Sequence, residues 1–261
     1  MEAPLIGQAA LVTGGGQGIG RAIGLRLAAE QMHIAVVDRD GECAEAVAAE
    51  IRAIGGQALA ITADVTAVPD RERMFAATLA AFGRLDVLVN NAGILRTGDP
   101  LAVTEEHWDV VMDVNARATY FCCQHALRHM IAQRSGRVVN IASAAGKSAT
   151  TIHHPIYNIS KAAVIAMTRT LAHAAAPAGV RINAVCPGMI DTPMQDAVDT
   201  AFAELRGVLP AAIRAERVAR IPLGHSASPA AVAEVVVFLI GPGAYYMTGQ
   251  AINVTGGMIM Y

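Results

Sequence analysis

The sequence has few cysteines, few aromatic residues and little charge. Of its 261 residues, 4 are cysteines, 4% are aromatic and 16% are charged. No two cysteines form a Cys-x-x-Cys pair, so we expect reduced, mostly buried thiols in a cytoplasmic protein. The formal net charge is only -2, and no basic block is present. Nucleic acid is therefore not favoured as a partner.

The sequence also lacks a hydrophobic run long enough to cross a membrane. The most apolar run, around 231–240, carries Glu234 and ends at Gly241 and Pro242. The N-terminus has no basic segment of the kind that precedes a signal peptide core. Hydrophobic residues make up 54% of the chain. This content and length suit a large core, and we expect one domain over 1–261.

Three side chains with complementary chemistry lie between Ser143 and Lys161. Tyr157 and Lys161 are four residues apart, so on a helix they share one face. A phenol with a pKa of about 10 is a poor base at neutral pH, and a cation beside it favours the phenolate. Ser143, at the end of a predicted strand, can hydrogen-bond a substrate oxygen. This set suits proton transfer to or from an alcohol.

A glycine-rich turn lies between a predicted strand and a predicted helix near the N-terminus. The strand covers Gln8 to Thr13, and the turn reads TGGGQGIG from Thr13 to Gly20. Such a turn lets the backbone approach a pyrophosphate, to which the helix start presents free N–H groups. The second strand ends at Asp38, near the spacing of an acid that binds the adenosine ribose. A capping or turn aspartate is the alternative interpretation.

Strands and helices alternate along the rest of the chain. The pattern predicts helices over 42–54 and 105–133, and helical structure without a strand over 193–220. It indicates an α/β protein with a single doubly wound, Rossmann-type parallel sheet of about seven strands flanked by helices, and a helical substrate lid at about 189–224. Asn115 lies inside the long predicted helix, where asparagine either has a task or faces solvent.

Together these motifs resemble the short-chain dehydrogenase/reductase family over nearly the whole chain. The matching segments are TGGGQGIG at 13–20, Asp64 with Val65, NNAG at 90–93, then Asn115, Ser143, Tyr157 and Lys161, the segment from Pro187 to Thr192, and TGQAINVTGG at 248–257. Several independent motifs in the same order are far stronger evidence than any one of them.

The resemblance implies a role for each of four residues. Tyr157 is the general acid/base, and Lys161 binds the nicotinamide ribose and lowers the phenol pKa. Ser143 holds the substrate oxygen, and Asn115 supports a water that relays protons. Hydride passes directly between substrate and nicotinamide, and no metal is needed. The implied cofactor contacts are Gly14, Gln17, Gly18, Ile19, Gly20, Asp38, Arg39, Asp64, Val65, Asn91, Ala92, Gly93, Tyr157, Lys161, Pro187, Gly188, Ile190 and Thr192.

Asp38 favours NAD as the cofactor over NADP. Its two oxygens can accept from both ribose hydroxyls of NAD, whereas a 2'-phosphate would meet a like charge. Gln17 stands where NADP-preferring members often have a basic residue. Arg39 is discordant, but we expect Asp38 to dominate because a buried carboxylate cannot turn away while Arg39 can swing to solvent.

The segment after Gly188 is long for the family and resembles the lid of its polyol and sugar-alcohol dehydrogenases. The residues predicted to line the substrate pocket are Ser143, His154, Met189 and Met194, with Val198 and Phe202 as further apolar contacts and His153, Gln195 and Lys147 as further polar contacts. The two histidines are either pocket-rim residues or exposed loop residues.

We therefore expect an NAD-dependent oxidoreductase that acts on a secondary alcohol or ketone, such as a polyol, a sugar alcohol or a small hydroxy compound. One alternative is an NADPH-dependent 3-oxoacyl-thioester reductase. Another, from a different class, is a catalytically silent regulator that only binds the cofactor. The resemblance further implies a homotetramer, in which the 105–133 helix and the Tyr157 helix pack against symmetry mates and the apolar C-terminus lies in a second interface.

Overall fold

The computed structural model describes residues 5–148 and 153–261, which form a parallel sheet with helices on both faces. Residues 1–4, and residues 149–152 between Ser143 and Tyr157, lie outside the described part. The sheet contains β1 (Ala9–Thr13), β2 (His33–Asp38), β3 (Gln57–Thr62), β4 (Val87–Asn90), β5 (Gly136–Ile141), β6 (Val180–Pro187) and β7 (Ala251–Val254).

The helices alternate with the strands as the sequence predicts. They are α1 (Gly18–Ala29), α2 (Gly41–Ala53), α3 (Val68–Phe82), α4 (Glu105–Met112), α5 (Ala118–Gln133), α6 (Pro155–Ala175), α7 (Pro193–Arg206), α8 (Pro210–Val218) and α9 (Pro229–Ile240). None of the described helices is long and apolar enough to cross a membrane.

Two hydrophobic layers cover the sheet, one on each face. Ala10 and Val12 of β1 point into the layer that contains α1, α2 and α9, whereas Leu11 points into the layer that contains α3 and α5. This alternation is the period of two expected of a strand, and burial on both faces explains why β1 is apolar from Ala9 to Val12. The predicted doubly wound α/β fold is confirmed.

The strand order indicates where a ligand would bind. Across the sheet it is β3-β2-β1-β4-β5-β6-β7, so the direction of winding reverses between β1 and β4. These two strands pair directly, with Thr13 opposite Asn90. Ligands of open α/β sheets bind outside the carboxyl ends of the strands at such a reversal. The glycine-rich turn after β1 and the NNAG segment after β4 therefore meet there.

The predicted helix over 105–133 is interrupted, which corrects the prediction. A π-helical turn, Asp113–Arg117, separates α4 from α5. Asn115 lies in this turn and is completely buried. Its side chain donates to the carbonyl of Ile94 at 2.9 Å and accepts from the Ile94 N–H at 2.8 Å. Asn115 therefore has a task, and the solvent-facing alternative is wrong; wide turns of this kind are frequent at functional sites.

The predicted helical segment over 193–220 consists of two helices, which we call the lid helices, α7 and α8. Gly207 ends α7 in the left-handed conformation, with φ of 64°. Pro210 then begins α8. At this first helical position a backbone N–H would have no partner within the helix, so proline costs no hydrogen bond there. The break lets the two helices fold back against each other over the carboxyl ends of the strands.

Candidate active site

A cavity of about 470 Å³ lies at the carboxyl ends of the central strands. The lid helices form one of its walls. The cavity is lined by these sequence-predicted residues: Ile19, Asn91, Gly93, Ser143, His154, Tyr157, Lys161, Pro187, Gly188, Met189, Ile190, Thr192 and Met194. The structure therefore brings together all four predicted pocket residues and one part of the predicted cofactor set. The rest of that set lies beside the glycine-rich turn and at the ends of β2 and β3.

The glycine-rich turn is packed so tightly that its glycines are required. Gly14 has φ of 61°, a conformation that side chains disfavour. A Cβ on Gly20 would lie 2.0 Å from the Gly14 carbonyl oxygen. Gln17 precedes α1 without a capping side-chain bond, and the first turn of α1 has no acidic residue. The N–H groups at this helix start thus suit a pyrophosphate.

The turns after β1 and β4 are tied to each other through Thr13 and Asn91. The Asn91 amide donates to the carbonyls of Thr13 and Gly14 at 3.1 and 2.8 Å. In return the Thr13 hydroxyl accepts from the backbone N–H groups of Asn91 and Ala92 at 3.1 and 3.2 Å. Sequence analysis did not single out Thr13, although its position at the end of β1, directly before the glycines, was a usable signal.

Asp38 is held beside the glycine-rich turn by the backbone. One carboxylate oxygen accepts from the Gly16 N–H at 3.0 Å, and the other accepts from the Asp40 N–H at 3.1 Å. Asp38 is half-buried, not buried as expected, and Arg39 is exposed. The two N–H groups, and not burial, therefore fix the carboxylate.

The end of β3 is organised by local hydrogen bonds. Asp64 accepts from the backbone N–H of Thr66 at 2.8 Å. The carbonyl of Val65 accepts from the Arg71 guanidinium at 2.7 Å. Both bonds shape the turn that follows β3, which places Asp64 and Val65 at the same edge of the sheet as Asp38.

Ser143, Tyr157 and Lys161 meet where β5 and α6 pack together. Ser143 lies just after β5, and the side chain of Tyr157 is hydrogen-bonded to it. Burial raises the pKa of Tyr157, and the Ser143 bond opposes this rise. The Lys161 ammonium donates to the Ile141 carbonyl at 2.9 Å and lies 5.7 Å from the centre of the Tyr157 ring. Burial lowers the pKa of Lys161 to about 8.

Tyr157 carries its proton at neutral pH, because even the ordinary phenol pKa of about 10 lies well above 7. The pair of Ser143 and Tyr157 thus presents an acid and a second hydroxyl to an oxygen atom in the cavity. The lowering of the Tyr157 pKa by Lys161 remains a prediction, because the ammonium contacts the Ile141 carbonyl.

Asn115 lies behind this group. Besides its two bonds to Ile94, its amide donates to the hydroxyl of Ser160 at 3.0 Å. A Cβ on Gly93 would lie 3.3 Å from both the Asn115 side-chain oxygen and the Lys161 nitrogen. Gly93 therefore lies close to both side chains. Asn115 fixes the backbone that follows β4, while the water relay remains a prediction.

Both predicted histidines line the cavity. His154 is 4% exposed and stacks on Phe202, with ring centres 5.1 Å apart. Its ring is nearly perpendicular to the Tyr157 ring, and the two ring centres are 6.3 Å apart. Burial lowers the pKa of His154 to about 4, helped by the positive charge of Arg217 and by His153. This arrangement favours the pocket interpretation for His154, whereas His153 is exposed at the rim.

A buried carboxylate in α7 holds the lid helices together. Asp199 is almost completely buried and accepts from Arg217 of α8 at 2.5 Å. The amide of Gln195 donates to the same oxygen at 2.9 Å, and Arg214 lies 3.7 Å from the other oxygen. Sequence analysis missed this cluster, because nothing along the chain shows which charges of two separate helices face each other.

A second charged group lies at the outer part of the cavity wall. Glu216 accepts from Arg206 at 2.5 Å and from Arg220 at 2.6 Å. All three residues line the cavity together with Arg217. This wall thus carries three arginines and one glutamate. The concentration of these charges within one short segment was the available signal in the sequence.

Lys147 does not contribute to the cavity, which corrects the prediction. Its ammonium donates to the carbonyls of Ala251 and Tyr261 at 2.7 and 3.1 Å. The Tyr261 hydroxyl donates back to the Lys147 carbonyl at 3.0 Å. The C-terminal residue thus anchors Lys147 away from the cavity.

Comparisons with known proteins agree with this architecture. A family profile described as short chain dehydrogenase matches residues 8–202. The chain is 39% identical to the 3-oxoacyl-[acyl-carrier-protein] reductase of Synechocystis sp., over 98% of this chain and 99% of the relative. A single-residue variant of actinorhodin polyketide ketoreductase, solved with NADPH, matches with a TM-score of 0.94 at 36% identity and covers 100% of both chains. An NAD+-bound xylitol dehydrogenase matches with a TM-score of 0.93 at 30% identity, over 98% of this chain and 100% of that chain.

Proposed function

The chain belongs to the short chain dehydrogenase family, and from this premise we propose that it reduces the ketone of a 3-oxoacyl thioester with a nicotinamide cofactor. The observation that carries the proposal is the cavity in which Tyr157 and Ser143 lie beside apolar and arginine side chains of the lid helices. A protonated phenol is ready to donate, as reduction requires. The position of Lys161 beside the Tyr157 ring, and the link from Asn115 through Ser160 to the Tyr157 backbone, also argue against the silent-regulator alternative.

In the proposed reaction the chain's residues handle the oxygen of the ketone. A nicotinamide bound between the glycine-rich turn and the carboxyl ends of β5 and β6 would supply the hydride. Ser143 donates a hydrogen bond that orients the ketone oxygen, and Tyr157 donates its proton to that oxygen as the alcohol forms. Lys161 contributes positive charge beneath the phenol, which stabilises the phenolate left behind. That α7 and α8 act as a lid is part of this proposal.

The cavity walls favour an acyl thioester over a small polyol. Apolar residues from the lid helices, such as Met194, Val198 and Phe202, suit an acyl chain. The three arginines and one glutamate of the outer wall suit the phosphates of coenzyme A or of a carrier protein's prosthetic group. The similarity to the 3-oxoacyl-[acyl-carrier-protein] reductase and to the polyketide ketoreductase points the same way. The alternative named in the sequence analysis is therefore better supported than the polyol reaction expected first.

We propose NADH as the preferred cofactor. The two backbone bonds to Asp38 hold its carboxylate where the adenosine ribose is expected, and Asp40 adds a second acid nearby. A 2'-phosphate would meet these like charges. Loss of the ribose bonds would cost about 1.5–3 kcal/mol, or roughly tenfold to a hundredfold in kcat/KM.

The cofactor test compares NADH with NADPH in the parent and in Asp38→Ala. We expect the parent to prefer NADH and the variant to lose most of that preference. Arg39→Ala is the matched control and should keep the preference. Equal or better efficiency with NADPH in the parent would overturn the choice of cofactor without touching the proposed substrate.

The function test uses acetoacetyl-coenzyme A as the probe and follows the absorbance of the reduced cofactor. We expect reduction that depends on the thioester concentration and saturates. A panel of polyols with NAD+ runs in parallel. Faster turnover of a polyol than of acetoacetyl-coenzyme A would make polyol oxidation the better-supported function and thioester reduction the second candidate.

NAD+-linked polyol oxidation is the second candidate. The observation that favours it is the similarity to NAD+-bound xylitol dehydrogenase, together with the polar groups of Gln195 and His154 at the cavity. A polyol would present several hydroxyls to such groups. The apolar side chains of Val198 and Phe202 at the cavity count against it, since a polyol offers no apolar chain to cover them.

We also propose a homotetramer in the cytoplasm. Ile131 of α5 and Ile159 of α6 are exposed apolar residues that association would cover. All four cysteines are free, as a reducing compartment requires. A sedimentation mass equal to one chain at micromolar concentration would contradict the tetramer.

A further inference from the structure

His154 has an unused hydrogen-bonding group beside the proposed reaction centre. Its ring is 4% exposed and lines the cavity. Its Nε2 is buried and has no hydrogen-bond partner within residues 5–148 and 153–261. A buried polar atom without a partner is unfavourable and calls for an explanation. A ligand that supplies the partner is one such explanation.

The surroundings hold this ring in one orientation. Phe202 stacks on it with the two ring planes 13° apart, and Tyr157 meets it nearly edge-on at 77°. The guanidinium of Arg217 lies 5.7 Å from the centre of the Phe202 ring on the lid helices. The imidazole is therefore held by aromatic contacts, which leave its Nε2 for another use. At neutral pH burial keeps the ring uncharged, so that one nitrogen donates and the other accepts.

We infer that the Nε2–H of His154 donates a hydrogen bond to a second oxygen of the substrate, the thioester carbonyl that lies two carbons from the reacting ketone. This inference rests on the proposed function and names the part of the substrate that the enzyme selects. The ketone oxygen is held by Ser143 and Tyr157, and the His154 ring lies about one helical turn before Tyr157 in the chain. Two separated hydrogen bonds then fix both ends of a 1,3-dicarbonyl group.

A two-point attachment has a consequence that stacking alone does not have. A ketone held only at its oxygen can turn over and present either face to the hydride. A substrate held at both oxygens presents one face, because turning it over would break the second bond. His154 is thus expected to act as a positioning residue that sets both substrate preference and product configuration, without taking part in the proton transfer.

The test compares two substrates in three proteins. The substrates are acetoacetyl-coenzyme A and a monoketone of similar length that lacks the second carbonyl. The proteins are the parent, His154→Phe, which keeps an aromatic ring for stacking, and His154→Gln, which restores an amide N–H. We expect His154→Phe to lose roughly threefold to tenfold in kcat/KM with the thioester, as for one hydrogen bond. The loss with the monoketone should be clearly smaller, because that substrate has no second carbonyl to accept the bond.

Two further readouts separate positioning from packing. The enantiomeric purity of the hydroxyacyl product, measured by chiral chromatography, should fall in His154→Phe and recover at least partly in His154→Gln. Equal losses on both substrates with unchanged enantiomeric purity would mean that His154 only packs the cavity, and would overturn the inference while the proposed function stands. A parent enzyme that reduces no oxoacyl thioester would remove the proposed function and, with it, this role of His154.

Discussion

The two ends of the cavity are built in different ways. At the glycine-rich turn, backbone groups contact one another and leave no room for a side chain, as the 2.0 Å approach to Gly20 illustrates. At the lid helices, charged side chains such as Asp199 and Arg217 hold two separate helices together. The glycine-rich end therefore suits a ligand of constant shape, such as the cofactor. The lid end can change its side chains without disturbing the sheet, and in this way one fold can serve many substrates.

Tyr157 lies between the two ends, and its replacement should have the largest effect. Tyr157→Phe keeps the ring and removes the hydroxyl. Loss of general acid catalysis is expected to lower kcat by roughly 10²–10⁴, while cofactor affinity and the free energy of unfolding stay close to those of the parent. Steady-state kinetics and cofactor fluorescence check both statements. Turnover within a few fold of the parent would assign the proton donor elsewhere.

The glycine-rich end can be broken by one methyl group. In Gly20→Ala the new Cβ must displace the Gly14 carbonyl or the Asn91 amide, which lies 2.6 Å away. Overpacking of this kind costs about 1–3 kcal/mol, so we expect the cofactor Kd to rise roughly tenfold to a hundredfold. Isothermal titration with NADH and NADPH measures the change.

Gly24→Ala is the matched control for this experiment. Gly24 lies in the same helix, and a Cβ there would lie no closer than 3.7 Å to another atom. Alanine is favoured over glycine inside a helix by about 0.5–1 kcal/mol. The control should therefore bind the cofactor as the parent does and unfold at the same or a slightly higher urea concentration. Similar losses in both variants would contradict the close-packing argument.

The lid end is tested by removing its buried charge. Asp199→Asn leaves the guanidinium of Arg217 without its partner carboxylate. Breaking a fully buried pair costs about 3–5 kcal/mol. Because Arg217 is partly exposed, we expect about 2–3 kcal/mol in the free energy of unfolding. Substrate KM should rise while cofactor affinity stays unchanged, which is the opposite of the Gly20 result.

Asp196→Asn is the control for the lid. Asp196 is exposed and forms one bond to Arg214. Surface ion pairs contribute about 0–1 kcal/mol, so this variant should be close to the parent in urea unfolding and in KM. Equal changes in unfolding free energy and in KM for the Asp196 and Asp199 variants would show that burial of the carboxylate does not determine its contribution.

The stability of the protein should also depend on acid, because of His154. The unfolded chain binds a proton at this histidine with an ordinary pKa of about 6.5, whereas the folded chain does so only at a pKa of about 4. Between these two values the unfolded state binds more protons, so the contribution of His154 to stability falls as the pH falls. From pH 7 to pH 5 the loss is about 2 kcal/mol.

His154→Gln cannot take up a proton and should remove this part of the decline. Urea unfolding of the parent and the variant at pH 7 and pH 5 measures the difference between their slopes. His129→Gln, which replaces an exposed histidine, should keep the decline of the parent. A variant with the same slope as the parent would show that His154 is protonated at the same pH in the folded and the unfolded chain.

Much of the fold and of the catalytic group could be predicted from the sequence. The apolar strands, the glycines at 14–20 and the spacing of Tyr157 and Lys161 are local patterns, each with a local physical cause. Boundaries failed where a distant contact decided them. The π turn around Asn115 follows from bonds to Ile94, 21 residues earlier. The break between α7 and α8 differs, because Gly207 and Pro210 are local signals that end one helix and begin the next.

The sequence by itself determined the class of sheet, the dinucleotide turn and the identities of the proton-transfer residues, because periodicity, backbone freedom and helical spacing are properties of neighbouring residues. Only the tertiary structure decided which charges face the cavity. Arg217 reaches Asp199 across two helices, Lys147 is drawn to the C-terminal residue, and His154 is buried against Phe202. Electrostatic and aromatic contacts depend on distance in space, and residues far apart in the chain acquire that distance only when the chain folds.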